Sequence, residues 1–319
     1  MNFSNWRKWE NIIYKLSLYL HQFQANPLKT IIYKAFILIL LMMLGAFTAQ
    51  GFLWLLAWFY KIDLKASEDI IALLKNEDIS GKVKIFIGLN HIVTFLVFPY
   101  FFLMKFYKSS ISSYLSIKKF HPVFILLFLV LLISLYPLMA YISFWMNQLD
   151  WPPFLEGLDI TAMESLGELL KMDNLTDLFI NIMIIGIIPG ITEEFLFRGI
   201  IQNELKIYSS NYHLAVWIAA ILFGLMHLQI IGLFPKIIIG VVLGYAYHYS
   251  GSLILPMLLH AINNSFATIV YYFNPVENSE IINNQDAISI FPVLFFSVLA
   301  IIIFKYINTQ SKILQYANE

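Results

Sequence analysis

Apolar residues fall along this chain in runs about as long as a bilayer is thick, with the polar residues gathered mostly between them. At about 20 residues per crossing, the pattern predicts spans at roughly 35–59, 84–107, 122–146, 176–205, 212–229, 233–249, 252–273 and 288–306. The fifth and sixth are short and joined by a tight turn at Gly232 and Pro235. The fourth is too long for one straight crossing, and Pro189-Gly190 is expected to break it just before Glu193. Irregular backbone at membrane depth is found where it lines a cavity. Ahead of the first span, Trp6, Trp9, Ile13, Leu16 and Leu20 recur at helical spacing, with Arg7, Lys8 and Lys15 between them. That pattern suits an amphipathic helix at a membrane surface. The fold class expected is all-α: a polytopic membrane helix bundle of about eight transmembrane spans.

Composition agrees. The chain is 60% hydrophobic, 17% aromatic and 13% charged, with a mean hydropathy of +0.74, beyond the apolar share of soluble domains. The lipid bilayer is therefore an implied partner. Formal net charge is zero, so nothing points to nucleic acid. The absence of cysteine removes disulfides, thiolate nucleophiles and thiolate metal sites. Lysine and arginine collect in the N-terminal segment, in the loop after span two (Lys105, Lys108, Lys118, Lys119) and near the end of the last span (Lys305, Lys312). Acids collect after span three (Asp150, Glu156, Asp159, Glu164, Glu168, Asp173) and after span seven (Glu277, Glu280, Asp286). The positive-inside rule then places both termini in the cytoplasm, and the membrane expected for this multi-pass protein is the plasma membrane if the source is bacterial. Four regions are expected: an interfacial segment 1–34, N-terminal spans with an acidic loop 35–174, a helical core 175–274, and a last span with its tail 275–319.

The candidate chemistry is centred on Ile191 to Gly199. A charge at the centre of a span costs roughly 2.5–3.5 kcal/mol on insertion scales, so Glu193, Glu194 and Arg198 need more than packing to account for them. Glu194 and Arg198 are four apart and can neutralise each other on one helix face; Glu193 points elsewhere and needs a partner from another helix. Spans four and five form a hairpin turning near Tyr208 to Asn211, which puts His227 at the depth of Glu193. Ala220 and Gly224 permit close helix approach there. Span seven carries His260 and Asn264, four apart on one face at a compatible depth. Gly240 and Gly244 read as close helix packing, His248 as interfacial, and Asn90 and His91 as bridges between helices.

A hydrolase needs a base for its water and donors where negative charge develops. Glu193 and His227 can hold one water, and His260 and Asn264 can donate to an oxyanion. Glu194 and Arg198 are supporting residues. No serine has a triad setting, there being no GxSxG. No cofactor is expected. A divalent metal such as zinc is the competing idea, with Glu193, His227 and His260 as its candidate ligands, although the HExxH spacing of many zinc hydrolases is absent.

These residues carry a resemblance. Glu193-Glu194-Phe-Leu-Phe-Arg198 (EExxxR), Phe223 to His227 (FxxxH) and His260 to Asn264 (HxxxN) stand in the order of the CAAX-protease and bacteriocin-processing (CPBP, or Abi) family. The chain thus resembles that family of intramembrane endopeptidases over about 80 residues, Glu193 to Asn264. The resemblance implies a glutamate-activated water held by Glu193 and His227, with His260 and Asn264 at the oxyanion. It also implies a peptide or membrane-anchored protein as substrate. The family was long described as metal-dependent, whereas its eukaryotic prenyl-protein members are regarded as glutamate proteases. Two other classes compete: a membrane scaffold or immunity factor that sequesters a partner, and a transporter coupled through its buried carboxylates. Repeated halves, the usual mark of the latter, are not visible.

Overall fold

A computed structural model of the chain describes residues 27–59, 69–275 and 289–316. The expected amphipathic helix at Trp6 to Leu20 and the acidic loop at Glu277 to Asp286 lie outside the described residues. Every regular element described is helical. In chain order these are α1 (Pro27–Phe59), α2 (Asp69–Lys75), α3 (Asp78–Tyr107), α4 (Ile111–Leu115) and α5 (Val123–Asn147). They continue with α6 (Pro153–Leu170), α7 (Leu175–Ser209), α8 (Tyr212–Leu225), α9 (Leu233–Ser250), α10 (Ile254–Phe273) and α11 (Ile290–Tyr316).

Among the described residues six helices, α1, α3, α5, α7, α10 and α11, are long and apolar enough to cross a membrane. The other two expected spans fall short of that six. α8 has 14 residues, about 21 Å at 1.5 Å per residue, and stops at Leu225 instead of running to 229. α9 has 18 residues but carries Lys236 and His248 among them. The residues after span three also differ from expectation. Much of the supposed acidic loop is α6, begun by Pro152-Pro153 and packed against α2 and α10.

The largest correction concerns Pro189-Gly190. The chain does not break there; α7 is continuous over 35 residues. A proline interrupts an α-helix because it lacks an N–H and its ring meets the carbonyl four residues back. Here a π-helical segment, Ile182–Ile187, immediately precedes the proline turn, and its wider turn absorbs the mismatch. A second π segment, Phe197–Gln202, follows. Asn174 starts the helix by accepting from Thr176 N and Asp177 N at 2.8 and 3.1 Å. Ser210, at a left-handed φ of 53°, ends it, and Asn211 caps α8 by accepting from His213 N and Leu214 N.

Among the described residues three apolar clusters hold the bundle, the smallest joining Leu53 of α1 to Leu73 and Leu74 of α2 and to Ile79 and Val83 of α3. The first of the two larger ones joins Phe124, Phe128 and Leu132 of α5 to Val242, Leu243 and Ala246 of α9 and to Ala300 and Ile307 of α11. The second joins Leu38 of α1, Phe102 and Leu103 of α3, Phe195, Leu196, Phe197 and Ile200 of α7, and Phe223 of α8. Outside them, large apolar side chains such as Phe36, Trp54, Ile133, Leu294 and Phe295 are exposed. Lipid is the solvent that suits such a surface.

Candidate active site

Close helix approach comes first. Gly186 and Gly190 form a small-residue stripe on α7 facing Ala261 and Ser265 of α10. A Cβ at Gly190 would lie 2.6 Å from the Ala261 nitrogen, and one at Gly186 would lie 3.1 Å from the Ser265 nitrogen. Small residues at this spacing let helix backbones touch, and the contact brings α10 against the Glu193-Glu194 segment. α8 and α9 meet the same way, as the sequence anticipates. A Cβ on Gly240 would stand 3.0 Å from Ala220 Cα, and one on Gly224 would stand 2.6 Å from an Ile237 side-chain carbon.

Against this frame the buried polar groups pair. Arg198 and Glu194 are fully buried, with Arg198 Nη1 donating to Glu194 Oε1 at 2.6 Å and Nη2 to the Gly240 carbonyl at 2.8 Å. One turn on, Gln202 Nε2 donates to the Gly244 carbonyl at 3.1 Å. The glycine stripe of α9 thus serves packing and exposes two carbonyls to buried donors. His260 Nδ1 lies 2.9 Å from the same Glu194 oxygen. A carboxylate oxygen accepts, so Nδ1 carries the hydrogen and Nε2 is turned towards Glu193, 3.9 Å from its Oε2. Phe223 packs edge-on against both His260 and His227, with ring centres 5.6 and 5.0 Å apart, and lies 4.9 Å from the Arg198 guanidinium carbon.

Glu193 is 9% exposed. Its Oε1 is hydrogen-bonded to His91 Nε2 at 3.1 Å, and its Oε2 is buried without a hydrogen-bond partner. His227 lies just past the end of α8 and donates Nδ1–H to the Phe223 carbonyl at 2.9 Å. That leaves its Nε2 as acceptor, on a ring packed against the Phe223 that also meets His260. Asn264 is occupied differently. Its Nδ2 donates to the Ile185 carbonyl at 3.2 Å, the i−4 oxygen to which Pro189 has no N–H to give, and its Oδ1 accepts from Asn263.

Glu193, Glu194, Arg198 and His260 therefore meet directly, His227 stands near them, and Asn264 sits on the α7 backbone about two turns from Glu193. His91 was legible as a helix bridge but not as the partner of Glu193. Thr192, Gln202 and Asp159 were not singled out for a role in the site. Asp159, 4% exposed on α6, accepts from Ile230 N and Ile231 N at 3.1 and 3.4 Å, and so holds the turn that follows His227. Among the described residues no group of three His, Asp or Glu side chains is arranged to hold a metal ion, although His260 Nε2 and Glu193 Oε2 have no hydrogen bond within the protein, the other atom of each being bonded to Glu194 and His91 respectively.

Six described helices long and apolar enough to cross a membrane, with a buried acid–histidine–arginine centre among them, suit an integral membrane protein. Residues 175–266 match the family model described as Type II CAAX prenyl endopeptidase Rce1-like. The segment from α7 through most of α10 is thus an Rce1-like, CAAX protease-type domain, consistent with the CPBP family that the three motifs resemble. An Escherichia coli protein described as an uncharacterized 24.3 kDa protein is 29% identical over 112 residues, a match covering 33% of this chain and 50% of that protein. The match thus spans about half the length of this curated relative. No solved structure matches the chain.

Proposed function

We propose that this chain is an intramembrane endopeptidase in which Glu193 makes a water attack a peptide bond, on a peptide or membrane-anchored protein reaching the site from the bilayer. The observation that carries this is the buried, unpartnered Oε2 of Glu193 facing His260 Nε2 at 3.9 Å. Two groups at that separation can both hydrogen-bond one water lying beside their axis. The lysine-rich loops support cytoplasmic termini.

Charge balance assigns the protons. Glu193, Glu194 and Arg198 sum to one net negative charge, which is costly in a low-dielectric interior. One proton on the surrounding histidines makes the cluster neutral, and His260 is placed to carry it because it faces both carboxylates. His260 then offers Nδ1–H to Glu194 and Nε2–H to the developing oxyanion. Glu193 Oε2 takes a proton from the water as its oxygen bonds to the carbonyl carbon. The carbonyl π pair moves to oxygen, where preorganised N–H donors stabilise it. Collapse breaks the C–N bond, and the proton on Glu193 passes to the leaving amine. His227 Nε2 is the second acceptor offered to the water. Asn264, held on the Ile185 carbonyl about two turns from Glu193, serves as a second donor to the oxyanion only if it leaves that carbonyl and swings towards His260.

The test is turnover of an internally quenched, prenylated CAAX peptide by the full chain in phospholipid vesicles. Glu193→Gln is expected to lower kcat by about 10²–10⁴, the share of a general base. Undiminished cleavage by that variant ends the reading.

A further inference from the structure

We infer that His91 is a positioning residue for Glu193: it grips one carboxylate oxygen so that the other is presented to His260. The inference rests on the protease reading above. His91 comes from α3, outside the matched segment, and reaches α7 beside a glycine. A Cβ at Gly88, almost one turn earlier, would lie 2.9 Å from Ile184 Cγ2, so the helices touch there. The imidazole spans two neighbouring residues of α7. Its Nδ1 lies 2.8 Å from Thr192 Oγ1 and its Nε2 lies 3.1 Å from Glu193 Oε1. Thr192 Oγ1 also lies 2.9 Å from the Ile188 carbonyl; with the ring hydrogen on Nε2, the Thr192 hydroxyl turns to donate to Nδ1, so the ring needs only one hydrogen. The ring is stacked on Phe95, with centres 4.4 Å apart and planes 16° from parallel. Both nitrogens and one face of this imidazole are thereby engaged.

Glu193 has no such anchoring of its own. Its Oε2 has no hydrogen-bond partner, and its nearest opposite group on the same helix, Arg198, is turned to Glu194 and Gly240. An imidazole nitrogen stands 3.1 Å from a carboxylate oxygen only with a hydrogen between them, so the contact fixes which oxygen is bound and which is free. Rotation of the carboxyl is stopped with Oε2 towards His260. His91 touches neither oxyanion nor attacking water in this arrangement; it acts through Glu193.

The experiment has two arms, both on the full chain in phospholipid vesicles. In the kinetic arm, with the quenched prenylated CAAX peptide, His91→Leu is expected to lower kcat about ten- to a hundredfold with KM unchanged, the scale of a misplaced reacting group. His91→Gln, whose amide can donate to Glu193 Oε1 from a similar position, recovers the greater part of that loss. A His91→Leu protein with kcat within about twofold of the unmodified chain, or one whose loss lies in KM, overturns the inference. In the spectroscopic arm, solid-state NMR of ¹⁵N-histidine-labelled protein follows the His91 ring, assigned by its disappearance in His91→Gln. The His91 resonances are expected to move in Glu193→Leu, and resonances that stay put overturn the inference whether or not the peptide is cleaved. Normal cleavage by Glu193→Gln sinks the protease reading alone, since the His91 contact is read separately.

Discussion

At the scale of single residues, the buried Arg198 is the group on which the others lean. Its two terminal nitrogens serve Glu194 and the Gly240 carbonyl at once, a fork that one ammonium cannot reproduce. Truncating one partner of a buried ion pair leaves the other uncompensated and costs roughly 3–5 kcal/mol. Arg198→Leu is therefore expected to lower thermal stability in detergent by about that much. Adding Glu194→Gln should restore part of it, because the orphaned charge goes with it. Equal stability of the unmodified and Arg198→Leu proteins would show that Glu194 is not ionised. The pairing of Glu194 with Arg198 was legible from their i, i+4 spacing alone. His260 as the second partner of Glu194 was not, because a contact between residues 66 apart depends on which face α10 turns to α7. His91 was harder still. Its partner lies 102 residues on, and nothing local separates it from the other histidines of the chain.

At the scale of helices, sequence and structure disagree where backbone geometry compensates for a residue's default behaviour. Pro189 reads as a break, yet the π segment before it keeps α7 whole and Asn264 supplies a donor to the carbonyl that the proline cannot serve. The acidic stretch after span three reads as a loop by charge, yet α6 forms there and directs Asp159 inward to the turn after His227. By contrast, Gly240 and Gly244 were legible as close packing, because small residues four apart have one common use in membranes. The same spacing at Gly186 and Gly190 went unread, although it matters more to the site. Valine at Gly190 would set its Cβ 2.6 Å from the Ala261 nitrogen and 2.8 Å from its Cα, both backbone atoms that cannot swing away. Gly190→Val is expected to separate α7 from α10 and carry His260 away from both glutamates. Activity should then fall by about 10²-fold or more while the protein still inserts in membranes. A variant that inserts and cleaves normally would show that the two helices do not need this contact.

At the scale of the whole molecule, the helices outside the matched segment have to be tied to it. α1 is attached to α7 by a polar cluster near its start. Glu204, 7% exposed, accepts from Lys34 Nζ at 3.0 Å, from Tyr114 OH at 2.9 Å and from Tyr107 OH. Tyr107 and Tyr114 are stacked with ring centres 4.0 Å apart. Burial, then the neighbouring Glu204, pushes the Tyr114 phenol far above its ordinary range, so it stays protonated and remains a donor. Two of the four residues come from outside any span motif, and the cluster could not be read from the sequence, since Lys34 counts there only as one more cytoplasmic lysine. Its energetics are separable by a double-mutant cycle. Lys34→Met alone leaves a buried carboxylate with only phenol donors, and Glu204→Gln alone leaves a buried ammonium short of its counter-charge. If the pair is what fastens α1, the double variant should be more stable than the sum of the single losses predicts, by about 1–3 kcal/mol, the coupling seen for residues sharing one network. Thermal unfolding of the four proteins in the same detergent measures it. Strict additivity would mean that α1 is held by its apolar face alone, through Leu38 and its neighbours in the second cluster.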